Sequence, residues 1–386
     1  MPSANRPSRR RDGIEVAGAL YDRAMSLLDE GKVREAQVLC QRSVRLVERA
    51  LGPDQPDVAH VLNALAVTLE RQGEYSRAEA IYRRSADIMD GEPSADLEVE
   101  RVRVQSLCGL AEVCRLQGKY DEAEPLFRRA LAFAEKAFPA GDPDLANALN
   151  NLAVLYKYTG RFDEAESLYL RALAITENAF GSEHPQVATI YHNLGGLEHS
   201  RGRHARGEPY ARRSVEIRRR ALGPDHPDVA ADMAALAGLL DGQEKFEEAE
   251  QLYTHALDIF ERHFGQEHYE VAVALNNLAA LHFARGNALA AEAFYWWALH
   301  NKEKLLGPSH PDVAMTLNNL AVLFKSEGRL EEAAPLYQRA LSIFENVLGR
   351  EHPNVAACCE NYADLLRQMG RESEARLVES RWLPES

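Results

Sequence analysis

GPSHPDVAMTLNNLA, residues 307–321, decides the fold, because most of it is written again elsewhere in the same chain. GSEHPQVATIYHNLG occupies 181–195, GPDHPDVAADMAALA occupies 223–237, and GREHPNVAACCENYA occupies 349–363. A phrase that returns at a fixed interval marks an array in which one supersecondary unit is copied and stacked. The interval is set by Gly31, Gly73, Gly118, Gly160, Gly202, Gly286, Gly328 and Gly370. Their spacing is 42, apart from one step of 45 where GEPSADLEVER (91–101) lengthens a linker. One glycine is missing: Glu244 stands in its place, with Gly242 two residues early. Five residues after each of these positions comes a small residue, the series Ala36, Ala78, Ala123, Ala165, Gly207, Ala249, Ala291, Ala333 and Ala375.

Both sides of each glycine have helical periodicity. Leu149, Leu152, Ala153 and Tyr156 fall at i, i+3, i+4 and i+7, one helix face. After Gly160, the residues Ala165, Leu168, Tyr169, Ala172 and Leu173 form a second apolar face. The glycine permits a tight turn between the two helices, and the small residues let them approach closely. In HPDVA the proline suits a first helical turn and the aspartate complements the helix dipole. Neither helix buries its apolar face alone, so each repeat must pack on its neighbours.

A small-xx-aromatic pattern before the glycine, then aromatic and alanine at fixed offsets, resembles the tetratricopeptide repeat. The period of 42 and the wording LG-x-x-HP-[DQN]-VA…LNNLA resemble its kinesin light chain-like subtype. The resemblance implies an all-α, right-handed superhelical solenoid of about nine antiparallel helix pairs, in one array over 15–382. The repeats are expected near 17–52, 58–90, 103–138, 145–180, 187–222, 229–264, 271–306, 313–348 and 355–382. Residues 1–14, with Arg6, Arg9, Arg10 and Arg11, read as a disordered basic tail, and 383–386 as a second tail. The extra residues beyond the usual 34 would lengthen the second helix by roughly 12 Å. No heptad coiled coil of the kind that precedes kinesin light chain repeats is present, so the expected comparison is with stand-alone bacterial arrays.

In such arrays the first helices line a concave groove. Asn150 and Asn151 point away from the face formed by Leu149, Leu152, Ala153 and Tyr156, so the resemblance places them there. Asn276 with Asn277 and Asn318 with Asn319 repeat the pair; Asn63, Asn193 and Asn361 are partial copies, and the sixth repeat has Ala234 and Ala235. An amide that both donates and accepts can hold the main chain of an extended peptide. It can equally bridge neighbouring helices and serve the stack alone. Further along the same face lie Arg115, Lys157, His199, Lys325 and Arg367, which would favour acidic residues in a ligand, with Asp241 breaking the series. Two binding zones are expected, around repeats three to five and seven to nine.

Other readings are excluded or bland. A net charge of −14 argues against nucleic-acid or anionic-membrane partners. No apolar run approaches the roughly 18–20 residues of a membrane span. The five cysteines form no zinc spacing, and their odd number suits a reducing compartment, so the expected location is cytoplasmic. His184, His226, His268, His310 and His352 recur one per repeat and read as loop and capping residues, not as a metal ladder. Of Trp296 and Trp297, one is expected between repeats and the other exposed. No catalytic motif is present, and neither cofactor nor metal is expected. The sequence reads as a non-catalytic scaffold or adaptor for an extended peptide of a protein partner. The alternatives are a self-assembling repeat protein and a sensor or regulatory subunit of a separate effector enzyme.

Overall fold

A computed structural model of the chain describes residues 6–91, 94–350 and 352–382, with the side chains of 6–12, 381 and 382 left aside. Among the described residues there are eighteen α-helices and no strand. The first six are α1 (Arg6–Asp29), α2 (Val33–Leu51), α3 (Pro56–Glu70), α4 (Tyr75–Ile88), α5 (Leu97–Leu116) and α6 (Tyr120–Ala137). Next come α7 (Pro143–Tyr158), α8 (Phe162–Phe180), α9 (Pro185–Ser200), α10 (His204–Leu222), α11 (Pro227–Asp241) and α12 (Phe246–Phe264). The last are α13 (Tyr269–Ala284), α14 (Ala288–Leu306), α15 (Pro311–Ser326), α16 (Leu330–Leu348), α17 (Pro353–Gln368) and α18 (Glu372–Trp382). The chain divides into two compact halves, residues 1–155 and 156–386. Because α1 begins at Arg6, residues 6–14 of the expected tail have helical backbone: Pro7 falls in the first turn, where proline is tolerated, and the arginines are good helix formers that offset Gly13.

Within each half an odd-numbered helix packs against the even one that follows, and successive odd-numbered helices also touch directly. Within each half the odd helices therefore share one wall, and an even helix wedges between two of them. The small-residue series sits at these crossings, with all eight alanines fully buried. Gly207 belongs there for a sharper reason. A Cβ on it would lie 2.7 Å from Leu239 Cδ2 and 3.1 Å from the Gly195 carbonyl oxygen.

The turn between paired helices has one recurrent geometry. The eight glycines of the series have φ between 69° and 75°, the left-handed region. Around Gly31 the amides of Gly31 and Lys32 bond the carbonyls of Leu28 and Leu27, both at or under 3.1 Å, a Schellman closure of α1. Glu244 adopts the same conformation at φ 59°, alone among non-glycine residues described. Helix starts are equally uniform. His184, His226, His268, His310 and His352 are N-caps whose Nδ1 accepts the amide two residues on, at 3.0–3.3 Å. That occupies one ring nitrogen of each and gives the repeated histidines their capping role.

Candidate functional site

The paired asparagines divide into two structural classes. The first position, ten residues before each turn glycine, forms rungs between neighbouring odd helices. Asn63 Nδ2 donates to Ser106 Oγ at 3.0 Å, from α3 to α5. His192 Nδ1 lies 2.8 Å from Asp232 Oδ1, from α9 to α11. Thr316 Oγ1 donates to Asn276 Oδ1 at 3.2 Å, from α15 to α13. Each partner is two residues earlier in the next repeat: a serine, an aspartate or a threonine at a position that is otherwise apolar or Cys. Asn318 has Cys358 in that place; the thiol turns to the Tyr337 carbonyl at 3.8 Å, and Asn318 Oδ1 is buried without a partner among the described residues.

Two rungs are backed by a cation from the second helix. Arg218 on α10 reaches Thr189 Oγ1 at 2.6 Å and Asp232 Oδ1 at 3.4 Å. Lys302 occupies the same place on α14 and donates to Thr316 Oγ1 at 2.9 Å; burial holds its ammonium below the usual lysine range. These buried polar groups were legible only as interruptions of an apolar position. Their pairing across some 40 residues was not.

The second position behaves differently. Asn151, Asn193, Asn277, Asn319 and Asn361 are all half-buried, as is Asn150. Asn277, Asn319 and Asn361 make no side-chain hydrogen bond among the described residues, whereas Asn151 bonds the Cys108 thiol on α5. In the second half, Asn193, Asn277, Asn319 and Asn361 occupy equivalent places on α9, α13, α15 and α17. On α11 the same face carries only Ala231, Ala234, Ala235 and Gly238 before Asp241.

The cation series is largely neutralised within the protein. Lys325 is ion-paired with Asp364 of the next repeat. Arg367 holds Glu379 with both carboxylate oxygens at 2.7–2.8 Å. Arg115 pairs with Glu112 at 2.5 Å, and Lys157 Nζ lies 5.2 Å from the centre of the Tyr158 ring. At the equivalent point of the second repeat stands an acid, Glu70. Burial, with Glu112 nearby, raises its carboxyl to about 7, and Tyr82 donates to it.

Elsewhere, Glu79, Cys114 and Glu122 bring three possible ligand atoms within 4.8 Å of one another. Burial opposes ionisation of Glu79, but bonds from Lys119, Arg83 and Gln117 outweigh it and bring the carboxyl down to about 2, so the protein's own cations fill that place. The five cysteines are free; burial lifts the thiols of Cys40, Cys108, Cys114 and Cys359 to about 11 and that of Cys358 to about 12, which makes them unreactive. Trp296 and Trp297 are both partly exposed, at 44% and 40%, in place of one packed and one open. Trp296 caps its indole N–H with Glu292 at 3.4 Å. No helix among the described residues is long and apolar enough to cross a membrane.

Within each half, helix pairs whose first helices touch one another and carry amides have the architecture of an α-helical protein-interaction scaffold. A family model for the tetratricopeptide repeat matches residues 15–90, 102–178, 144–206, 186–262, 270–346 and 312–380, and the chain belongs to that family. Its spacing is of the kinesin light chain-like kind. No curated relative matches the sequence. Among solved structures, BtubC (BKLC) from P. vanneervenii is 29% identical, covering 62% of this chain and 92% of that one, with a TM-score of 0.47. A putative kinesin light chain of Podosopora anserina with nearly identical TPR-like repeats is 23% identical over 53% of this chain and 97% of that one, with a TM-score of 0.43. Apo RapI, 14% identical over 75% of this chain and 98% of that one, has a TM-score of 0.55 and shares the fold.

Proposed function

We propose that the protein is a non-catalytic adaptor that holds an extended peptide segment of a partner along the odd-numbered helices of its second half. Asn193, Asn277, Asn319 and Asn361 contact the peptide main chain. The observation that carries this reading is the division of labour within the asparagine pairs. First-position Asn63 and Asn276 are spent on rungs, while Asn277, Asn319 and Asn361 keep donors and acceptors with no partner among the described residues. Asn150, Asn151 and Lys157 lie at matching positions of the fourth repeat and form a subsidiary contact zone.

Each net hydrogen bond contributes roughly 0.5–1.5 kcal/mol, whereas micromolar affinity requires about 8 kcal/mol. Side-chain contacts must supply the remainder. Lys325 and Arg367 contribute only by exchanging Asp364 and Glu379 for a ligand carboxylate, a near-balanced trade that confers specificity more than affinity. The test is a cross-linking pull-down with the parent chain and with N277A/N319A, followed by titration of the captured segment as a synthetic peptide. The double variant should bind about ten- to a hundredfold more weakly with unchanged helicity. Equal binding by parent and variant assigns these amides to the stack and ends the proposal.

A further inference from the structure

Repeat seven breaks the pattern on its outer helix, α14. In other repeats two arginines follow the residue at the helix crossing: Arg83 and Arg84, Arg128 and Arg129, Arg212 and Arg213. Acids of the same or the next repeat answer them, as where Arg212 reaches Glu208 at 2.8 Å and Glu248 at 2.7 Å. On α14 the same two positions hold Trp296 and Trp297. Near its start, Leu289 stands where Asp121, Asp163, Glu247 and Glu331 stand elsewhere. Between Ala288 and His300 the one carboxylate is Glu292, and Arg329 and the Trp296 indole hold it.

Leu289, Ala293, Trp296 and His300 recur every three or four residues and share one outward stripe, with Trp297 at its edge. All five are exposed, Leu289 at 84%. The uncharged surface continues onto the flanking repeats. Gln251 and Thr254 on α12, and Pro335 and Gln338 on α16, occupy the positions of Ala293 and Trp296 and are exposed as well. The two indoles and Leu289 present roughly 350 Å² of apolar side chain, a patch of the size that soluble proteins keep for contact.

We propose that this face binds a second copy of the chain, with α14 packed antiparallel on its counterpart about a two-fold axis beside Ala293. The stripe is self-complementary. Residue 293 lies midway between 289 and 297, so the two-fold sets Leu289 of one copy against Trp297 of the other, with a small residue at the crossing. The flanking charges are complementary in the same sense. Exposed Glu247 and Glu331 lie level with Leu289, while His255 and Arg339 lie level with Trp297, so acid meets base across the axis. A chain of net charge −14 repels its own copies over most of its surface, and an uncharged centre is where that repulsion is least. With a polar rim, the contact reaches about 600 Å² per copy, the low end for a specific interface, which sets the dimer in the micromolar range. The face belongs to even-numbered helices and does not rest on the peptide groove of the odd ones.

Sedimentation velocity of the full chain between about 2 and 200 μM reads the monomer–dimer equilibrium. L289E and W297R restore the residues that other repeats carry at these positions, so neither threatens the fold. Each should weaken the dimer by about tenfold or more. Mixed in equal amounts, the two variants should regain association, because the two-fold sets the new acid of one copy against the new base of the other. A parent chain that stays monomeric overturns the proposal, including where the face takes up phosphatidylcholine vesicles or a foreign protein instead. So does a dimer that both variants leave intact, or a mixture no more associated than its components.

Discussion

Replacing Glu244 by glycine should stabilise the sixth repeat. Glu244 closes α11 with the same two hydrogen bonds as its glycine counterparts: its own amide reaches the Asp241 carbonyl at 2.8 Å, and the Lys245 amide reaches the Leu240 carbonyl at 2.9 Å. The closure is intact, so the cost lies in the conformation. A left-handed residue with a Cβ loses about 1–2 kcal/mol. Glycine gives back about 0.4–1 kcal/mol through its greater freedom in the unfolded chain. The side chain of Glu244 is exposed and makes no hydrogen bond among the described residues, so its removal forfeits no contact. The net gain should be about 0.5–1 kcal/mol. Repeat arrays do not unfold as one two-state unit, so a global melt is the wrong assay. Native-state hydrogen exchange of the amides between 236 and 250 reads the local opening and should slow by about two- to fivefold. Glu244→Ala keeps the Cβ and should give no such gain. Unchanged exchange in the glycine variant, or an equal gain in the alanine variant, refutes the strain argument.

Two further substitutions probe the groove. Asn276→Ala should cost about 1 kcal/mol in repeats seven and eight, because it strips the Thr316 rung, while Asn277→Ala should stay within about 0.5 kcal/mol; exchange rates compared across 269–326 measure both. Glu70→Gln should stabilise the first half at pH 8 but not at pH 5. The carboxyl is raised to about 7 in the fold from an ordinary 4.5, so its contribution to stability is fully present below 4.5 and is lost as pH rises through 7. The glutamine variant escapes that loss, a gain of about 3 kcal/mol at alkaline pH, and native-state hydrogen exchange of the first half, compared between parent and variant at each pH, would reveal it.

Much of this molecule is legible locally. The turn glycines, the alanines at the crossings, the histidine caps and the faces of each helix all depend on residues within one or two turns of one another. Helical periodicity and backbone conformation are short-range properties, so copies of one phrase predict copies of one structure. The sixth repeat was equally visible as a departure, since Glu244 and Gly242 break the count. What the departure accomplishes was not visible, because the ring that needs Gly242 belongs to His204, 38 residues earlier.

The roles of the asparagines could not be read the same way. Asn276 and Asn277 are neighbours in the chain, yet a turn of about 100° per residue sends one toward α15 and leaves the other on the open wall. Which of them meets a partner depends on the offset between adjacent repeats and on whether the facing position holds Thr316, Asp232, Ser106 or Cys358. The same holds for charge. Lys325 and Arg367 stand out as cations on a groove face, and only the stacking of repeats brings Asp364 and Glu379 to neutralise them. Period and polarity are written along the chain; pairing across it is decided by how one repeat seats on the next.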